Sequence, residues 1–248
     1  MLLEVKELRY SYGDRLAVAG ASFELERGEI FGLLGPNGAG KTTTLSCVAG
    51  GLADWQGEMR FDGRPFAPAR MPEDRARLGV VPQELALYPE LTARENLQFF
   101  GRLSGLEAAE LAAACDRGLA LAGLDDRADD RVSRYSGGMK RRLNLVLGDL
   151  HAPELLLLDE PTVGVDPQSR NHIFEALEAL RESGRTLLYT THYMEEAQRL
   201  CDRVAIIHEG RVVGAGTPKE LAAQAGVPDA NLEEVFLRIT GHQLRDGA

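Results

Sequence analysis

Gly35-Pro36-Asn37-Gly38-Ala39-Gly40-Lys41-Thr42 is the stretch on which the fold turns. It fits the pattern G-x-x-x-x-G-K-[ST] and stands between an apolar run at 30–34, read as a strand, and a helical segment at 41–48. That is the context the pattern needs. Glycines reach backbone angles that turn successive N–H groups inward, so the loop and the helix start surround an anion with donors and partial positive charge. In this reading Lys41 reaches the β- and γ-phosphates of a nucleotide, Thr42 offers its hydroxyl to a bridging Mg²⁺, and Thr43 donates on the α-phosphate side. The chain has only four lysines (Lys6, Lys41, Lys140, Lys219), which weakens the alternative of an ordinary glycine-rich turn that matches by chance.

A second feature supports the first. Leu155-Leu156-Leu157-Leu158 is a continuous apolar run suited to a strand buried on both faces, and it ends abruptly in Asp159-Glu160. Ligands of open α/β sheets sit beyond the carboxyl ends of the strands. Asp159 is therefore expected in the Mg²⁺ shell and Glu160 beside the attacking water as general base. The competing reading is a strand that merely exits to solvent.

Composition bounds the remaining choices. The chain has 248 residues, 44% hydrophobic and 27% charged, which is near the globular average and expected to fold as one compact unit. No stretch approaches the ~18 uncharged apolar residues of a membrane span, and Glu4, Lys6, Glu7 and Arg9 stand near the start, so no segment is expected to cross a membrane or direct export. A formal charge of -10, with Lys140-Arg141-Arg142 the only basic run, argues against nucleic acid as a partner. Cys47, Cys115 and Cys201 are odd in number and far apart, and read as buried, reduced thiols. Scarce lysine beside abundant Arg, Ala, Gly and Leu suggests a GC-rich genome.

Along the chain, strands are read at 2–8, 21–25, 30–34, 58–61 and 78–81, with Asp62-Gly63 as a turn. From 85 to 150 the pattern is helical, opened by a capping box at Thr92 and Glu95 and continued by the alanine-rich 107–121, with an acidic loop at 125–130. Strands at 155–158, 186–190 and 204–207 then alternate with helical patterns such as 173–180, which implies a parallel sheet. Thr217-Pro218-Lys219-Glu220 opens a capped helix. Leu232, Val235, Phe236 and Ile239 put an apolar stripe on a tail helix, whose ordinary role is packing on its own domain and whose sharper one is a regulatory or dimer contact.

Arg134-Tyr135-Ser136-Gly137-Gly138-Met139-Lys140-Arg141-Arg142 resembles the signature sequence of ABC ATPases, at the distance before the acidic strand which that family shows. No asparagine is followed by lysine, so the base-reading motif of a GTPase is absent. Ser136 is a good N-cap, and Gly137 and Gly138 are expected to expose backbone N–H groups, making a second anion site. The resemblance implies that this signature closes over the γ-phosphate held by the phosphate loop of a second subunit. Singly carried over, Gln83 matches the glutamine that touches Mg²⁺ or its water, His192 the switch histidine on the γ-phosphate, and Asp166 the aspartate at the subunit interface. Tyr12, chosen over Tyr10 because Gly13 follows it, matches the aromatic that stacks on adenine. Tyr135 and Met139 stand where the signature more commonly has Leu and Gln.

The resemblance runs from Tyr12 to about Thr217 and implies a single α/β domain over 1–248 with a P-loop NTPase (RecA-like) core. Residues 1–84 and 151–220 supply that core and an antiparallel β subdomain, 85–150 an inserted helical subdomain, and 221–248 a helical tail. ATP and Mg²⁺ are the implied cofactors. Leu91 to Phe100, the Tyr-Ser-Gly-Gly-Met form and the segment 232–241 look like the ATPase subunits of ABC-2 type exporters, including drug and polysaccharide exporters. The implied partners are a separate membrane permease, received around 83–100 with Leu87, Tyr88 or Phe99 exposed, and a second ATPase subunit forming a homodimer on ATP. The implied location is the cytoplasmic face of a membrane. A soluble ABC switch on ribosome or DNA is the alternative class. One motif set and no sustained heptads speak against it.

Overall fold

A computed structural model describes residues 1–241; positions 242–248 of the expected tail lie outside the described residues. In chain order come β1 (Leu3–Tyr12), β2 (Arg15–Leu25), β3 (Ile30–Leu34), α1 (Lys41–Val48), β4 (Gln56–Phe61), β5 (Arg64–Pro65) and α2 (Pro72–Arg75). Next are β6 (Leu78–Val81), α3 (Ala93–Leu103), α4 (Ala108–Ala122), α5 (Gly137–Asp149), β7 (Leu155–Asp159) and α6 (Pro167–Glu182). The chain closes with β8 (Thr186–Thr191), α7 (Met194–Leu200), β9 (Arg203–His208), β10 (Arg211–Gly216), α8 (Pro218–Gln224) and α9 (Leu232–Thr240). Contacts divide it into two compact units, Met1–Arg75 with Thr186–Ala248, and Ala76–Arg185. The second unit is wider than the helical insert at 85–150, because β6, β7 and α6 group with those helices.

In the first unit β1 pairs antiparallel with β2 and β4, Leu3 facing both Leu25 and Phe61. Its buried residues pass from odd positions (Leu3, Val5) to an even one (Leu8) across Glu7, where φ is 50° and the register slips. One bulged residue thus keeps the apolar set on one face. Gly57 is required opposite: at φ 116° a Cβ there would lie 2.6 Å from the Lys6 carbonyl oxygen. Asp62 and Gly63, both at positive φ, turn β4 into β5 with Phe61 facing Arg64, as a two-residue hairpin demands.

The same unit holds strands in the order β10-β9-β3-β8, with β3 parallel to both β8 and β9 and β10 antiparallel to β9. Every residue of β3 and β8 is buried, which is why both read as unbroken apolar or β-branched runs. β10 is absent from the strands expected from sequence. The tail helix packs on its own unit: Leu232, Val235 and Phe236 are buried, and the Leu232 N–H donates to Gln198 Oε1 of α7 at 3.0 Å.

In the second unit β6 and β7 run parallel, Leu78 facing Leu155. Helix α5 lies against β6 through glycine on glycine. A Cβ on Gly79 would sit 2.1 Å from the Gly148 carbonyl oxygen, and one on Gly148 would sit 2.6 Å from Val81. The helices share a core of Leu97, Leu111, Leu119, Leu143, Val146 and their neighbours, and Thr92 with Glu95 forms the expected capping box of α3. Residues 125–127 make a 3₁₀ turn within the expected acidic loop. Overpacking typically costs about 1–3 kcal/mol, so Gly79→Ala is expected to lower stability by that order. Urea unfolding of wild type and variant measures it.

Candidate nucleotide site

The phosphate loop lies wholly in the first unit, between β3 and α1. Its curl is set by close backbone approaches. A Cβ on Gly35 would fall 2.2 Å from the Ile207 carbonyl oxygen, and one on Gly40, at φ 105°, 2.6 Å from that of Ala17. The Gly210 N–H donates to the Ala39 carbonyl at 2.9 Å, and the Ala19 N–H donates to the Gly210 carbonyl at 2.7 Å, so β2 and the β9–β10 turn brace the loop. Gly210 has φ 74° and its Cβ position is 2.8 Å from the Ala17 oxygen, so only glycine fits. Sequence reading did not single it out.

Lys41 is buried, its Nζ donating to the carbonyls of Gly35 (2.8 Å) and Pro36 (3.1 Å). The ammonium is therefore held over the concave side of its own loop. Gly40 caps α1 in a left-handed conformation without a side-chain cap, so no side-chain oxygen competes at the helix start. Thr42 is exposed and Thr43 half-buried. Tyr12 is 52% exposed at the end of β1, its ring edge-on to that of Tyr10 at 4.9 Å. His192 follows β8, half-buried, with its ring 4.0 Å from that of Tyr193.

The other residues singled out from sequence lie in the second unit. Asp159 ends β7 and Glu160 follows it, 5% and 6% exposed. Glu160 has φ 45°, a left-handed conformation that costs a non-glycine residue energy. Ser136 caps α5, its Oγ accepting from the Met139 N–H at 3.2 Å. Gly137 is exposed, with nothing within 4 Å of a Cβ placed on it. Gly138, expected to be open, is buried instead: its Cβ position falls 2.0 Å from Ser169 Oγ and 3.3 Å from Asp166 Oδ2. The glycine is needed there because the start of α6 packs against the start of α5. Asp166 caps α6 by accepting from the Ser169 N–H at 2.9 Å. That bond holds its carboxyl below the usual aspartate value, so the cap is intact at neutral pH and is lost as pH falls through the lowered value.

Helix α5 also organises the segment after β6. Arg141 donates to the carbonyls of Gln83 and Val163, the latter at 3.2 Å, while buried Asn144 donates to the Pro82 carbonyl (3.3 Å) and accepts from the Ala86 N–H (3.0 Å). Gln83 itself is exposed. Tyr135, where the signature more often has Leu, is buried and donates its hydroxyl to the Arg127 carbonyl at 2.6 Å. Neither Arg141 nor Asn144 was singled out from sequence, since their partners lie 22 to 62 residues away.

Cys47, Cys115 and Cys201 are all buried, and burial raises each thiol pKa, that of Cys47 to about 12. Thiolate is the reactive form. Native protein is expected to leave a chromogenic disulfide reagent unreacted over minutes and to release three equivalents once unfolded. Rapid native labelling contradicts this.

An α/β fold carrying this loop defines a P-loop ATPase. Residues 18–163 match the family described as ABC transporter. The chain is 46% identical over 225 residues to the linearmycin resistance ATP-binding protein LnrL of Bacillus subtilis (strain 168), covering 91% of this chain and 72% of the relative. It is 49% identical over 221 residues to the Nod factor export ATP-binding protein I of Paraburkholderia xenovorans (strain LB400), covering 89% and 72%. A solved ATP binding subunit of an ABC transporter superposes with a TM-score of 0.86 at 32% identity, covering 97% of this chain and all of that one. The chain belongs to the ABC transporter family and is an ATP-binding subunit that hydrolyses ATP.

Proposed function

We propose that this chain powers an exporter by closing as a pair on two ATP molecules and opening on hydrolysis. Lys41 and the phosphate-loop N–H groups bind the β- and γ-phosphates, Tyr12 stacks on adenine, and Thr42, Gln83 and Asp159 hold Mg²⁺. The donor set fits the ion: hydroxyl, amide and carboxylate oxygens are the hard ligands Mg²⁺ takes. When bound, the ion neutralises charge developing on the phosphates. Glu160 accepts a proton from the attacking water, and His192 contacts the γ-phosphate. Support for export comes from the names of two relatives, one a resistance protein and one an export protein. Within one domain, 85–150 act as the helical insert and 221–248 as the tail.

The observation that carries the paired mechanism is the open start of α5. Ser136 and Gly137 are exposed at the N-terminus of a 13-residue helix, where backbone N–H groups and the helix dipole favour an anion. Asp166, exposed beside it, fits the same interface. The permease partner is supported by an exposed aromatic group. Tyr88 and Phe99 are 47% and 44% exposed with rings 5.0 Å apart, and Leu103 is 74% exposed on the same helix as Phe99. Leu87 is half-buried. In this reading the chain, when assembled with the permease, sits at the cytoplasmic face of a membrane. The ribosome or DNA alternative gains nothing from a net charge of -10.

Gly137→Asp tests the reading. A side chain there meets nothing within 4 Å, so the melting temperature is expected to hold. The added carboxylate opposes the γ-phosphate of the opposite subunit, so ATP binding to the monomer is expected to persist while turnover falls at least about tenfold, a like-charge cost of ~1.4 kcal/mol or more. Turnover at the wild-type rate counts against a trans role for this helix start.

A further inference from the structure

Helix α7 carries buried Met194, Ala197 and Leu200 toward its unit, and among them stands Glu196, only 3% exposed. A carboxylate is costly to bury unless hydrogen bonds replace its water, and an apolar residue of like volume would serve packing as well. The replacement for water here is specific. Glu196 Oε2 accepts from the Tyr189 hydroxyl at 2.8 Å and from the Thr191 hydroxyl at 3.1 Å. Thr191 Oγ1 in turn accepts from the Tyr193 N–H at 3.0 Å. Tyr189 and Thr191 are as deeply buried as Glu196. The bonds therefore enclose one residue, His192, between a fixed predecessor and a fixed successor.

The same threonine faces the phosphate loop. Thr191 pairs with Leu34 in the register of β3 and β8, and its carbonyl accepts from the N–H of Gly35, the loop's first glycine, at 3.4 Å. His192 is thus anchored to the frame that carries the loop, with all of these contacts inside one compact unit.

We propose that Glu196, through Thr191, is a positioning residue that sets where the His192 ring stands relative to the bound γ-phosphate. The proposal rests on the reading of His192 as a γ-phosphate contact. Glu196 touches no nucleotide, so its loss moves turnover and leaves ground-state affinity in place. Catalytic geometry is steep: a displacement of about 1 Å can cost about 10²-fold.

The test is a cycle on the purified chain of His192→Ala, Glu196→Ala, Glu196→Gln and the His192→Ala/Glu196→Ala double variant. For each, kcat for ATP, the Kd of a fluorescent ATP analogue and the melting temperature are measured. Glu196→Ala is expected to lower kcat tenfold or more with Kd within about twofold. Glu196→Gln is expected to recover most of the rate, because its amide oxygen still accepts from Tyr189 and Thr191. The double variant is expected to be no slower than His192→Ala, since the glutamate acts only through the histidine. Wild-type turnover in Glu196→Ala, a Gln variant no better than Ala, or multiplied losses in the double variant each overturn the proposal. Wild-type turnover in His192→Ala alone instead removes the histidine reading beneath it, so the two failures are separable. If Glu196→Ala does not fold, Thr191→Val carries the same cycle, with the same pattern expected and the same results overturning it.

Discussion

Glu160→Gln binds ATP and does not turn it over: that is the expected result if this carboxylate takes the proton from the attacking water. The amide keeps the shape of the side chain and removes its basicity. General-base catalysis contributes about 10²–10⁴-fold, so kcat is expected to fall by that order while the Kd for ATP stays within a fewfold. The position supports the assignment as well as the residue type. Glu160 is buried directly after a strand end and held at φ 45°, a conformation that costs a non-glycine residue energy. Turnover near wild type, measured by phosphate release, contradicts the role.

Lys41→Ala is expected to fail one step earlier, at binding. Lys41 is 4% exposed and its ammonium satisfies two carbonyls of the loop, so truncation removes a buried charge and leaves the Gly35 and Pro36 oxygens without that donor. Truncating one member of a buried charge pair costs about 2–5 kcal/mol. The affinity for ATP is expected to weaken by about 30- to 4 × 10³-fold, with hydrolysis lost in consequence. Titration with a fluorescent ATP analogue separates this from Glu160→Gln, and unchanged affinity contradicts the role.

The parts of the fold most legible in the sequence are the short apolar runs that are wholly or mostly buried. Residues 30–34 and 78–81 are strands with the bounds expected, because both are short apolar runs bounded by turn residues. β1 and β2 extend beyond the expected 2–8 and 21–25: their outermost parts, Tyr10 to Tyr12 and Arg15 to Ala17, are exposed or half-buried, and the missed Val18 and Ala19 are buried side by side and not in alternation. β10 has only Gly216 buried and carries two glycines, Gly214 and Gly216. Its strand conformation comes from pairing with β9, which no local pattern announces.

The candidate site divides in the same way. Lys41, Thr42, Asp159 and Glu160 were singled out because a phosphate site asks for fixed residue types at fixed spacing, and the signature because it resembles that of ABC ATPases. Their supports were not. Gly210 serves the phosphate loop from far along the chain, and Arg141 and Asn144 hold the 82–86 segment from a neighbouring helix. Such contacts depend on which strands become neighbours, so they follow the fold and cannot precede it.

The central claim, that two copies close on ATP, is tested most directly by size-exclusion chromatography with light scattering on Glu160→Gln protein without Mg²⁺. The account predicts a monomer without nucleotide and a dimer when ATP is present. A chain that binds ATP and remains a monomer at every concentration contradicts it.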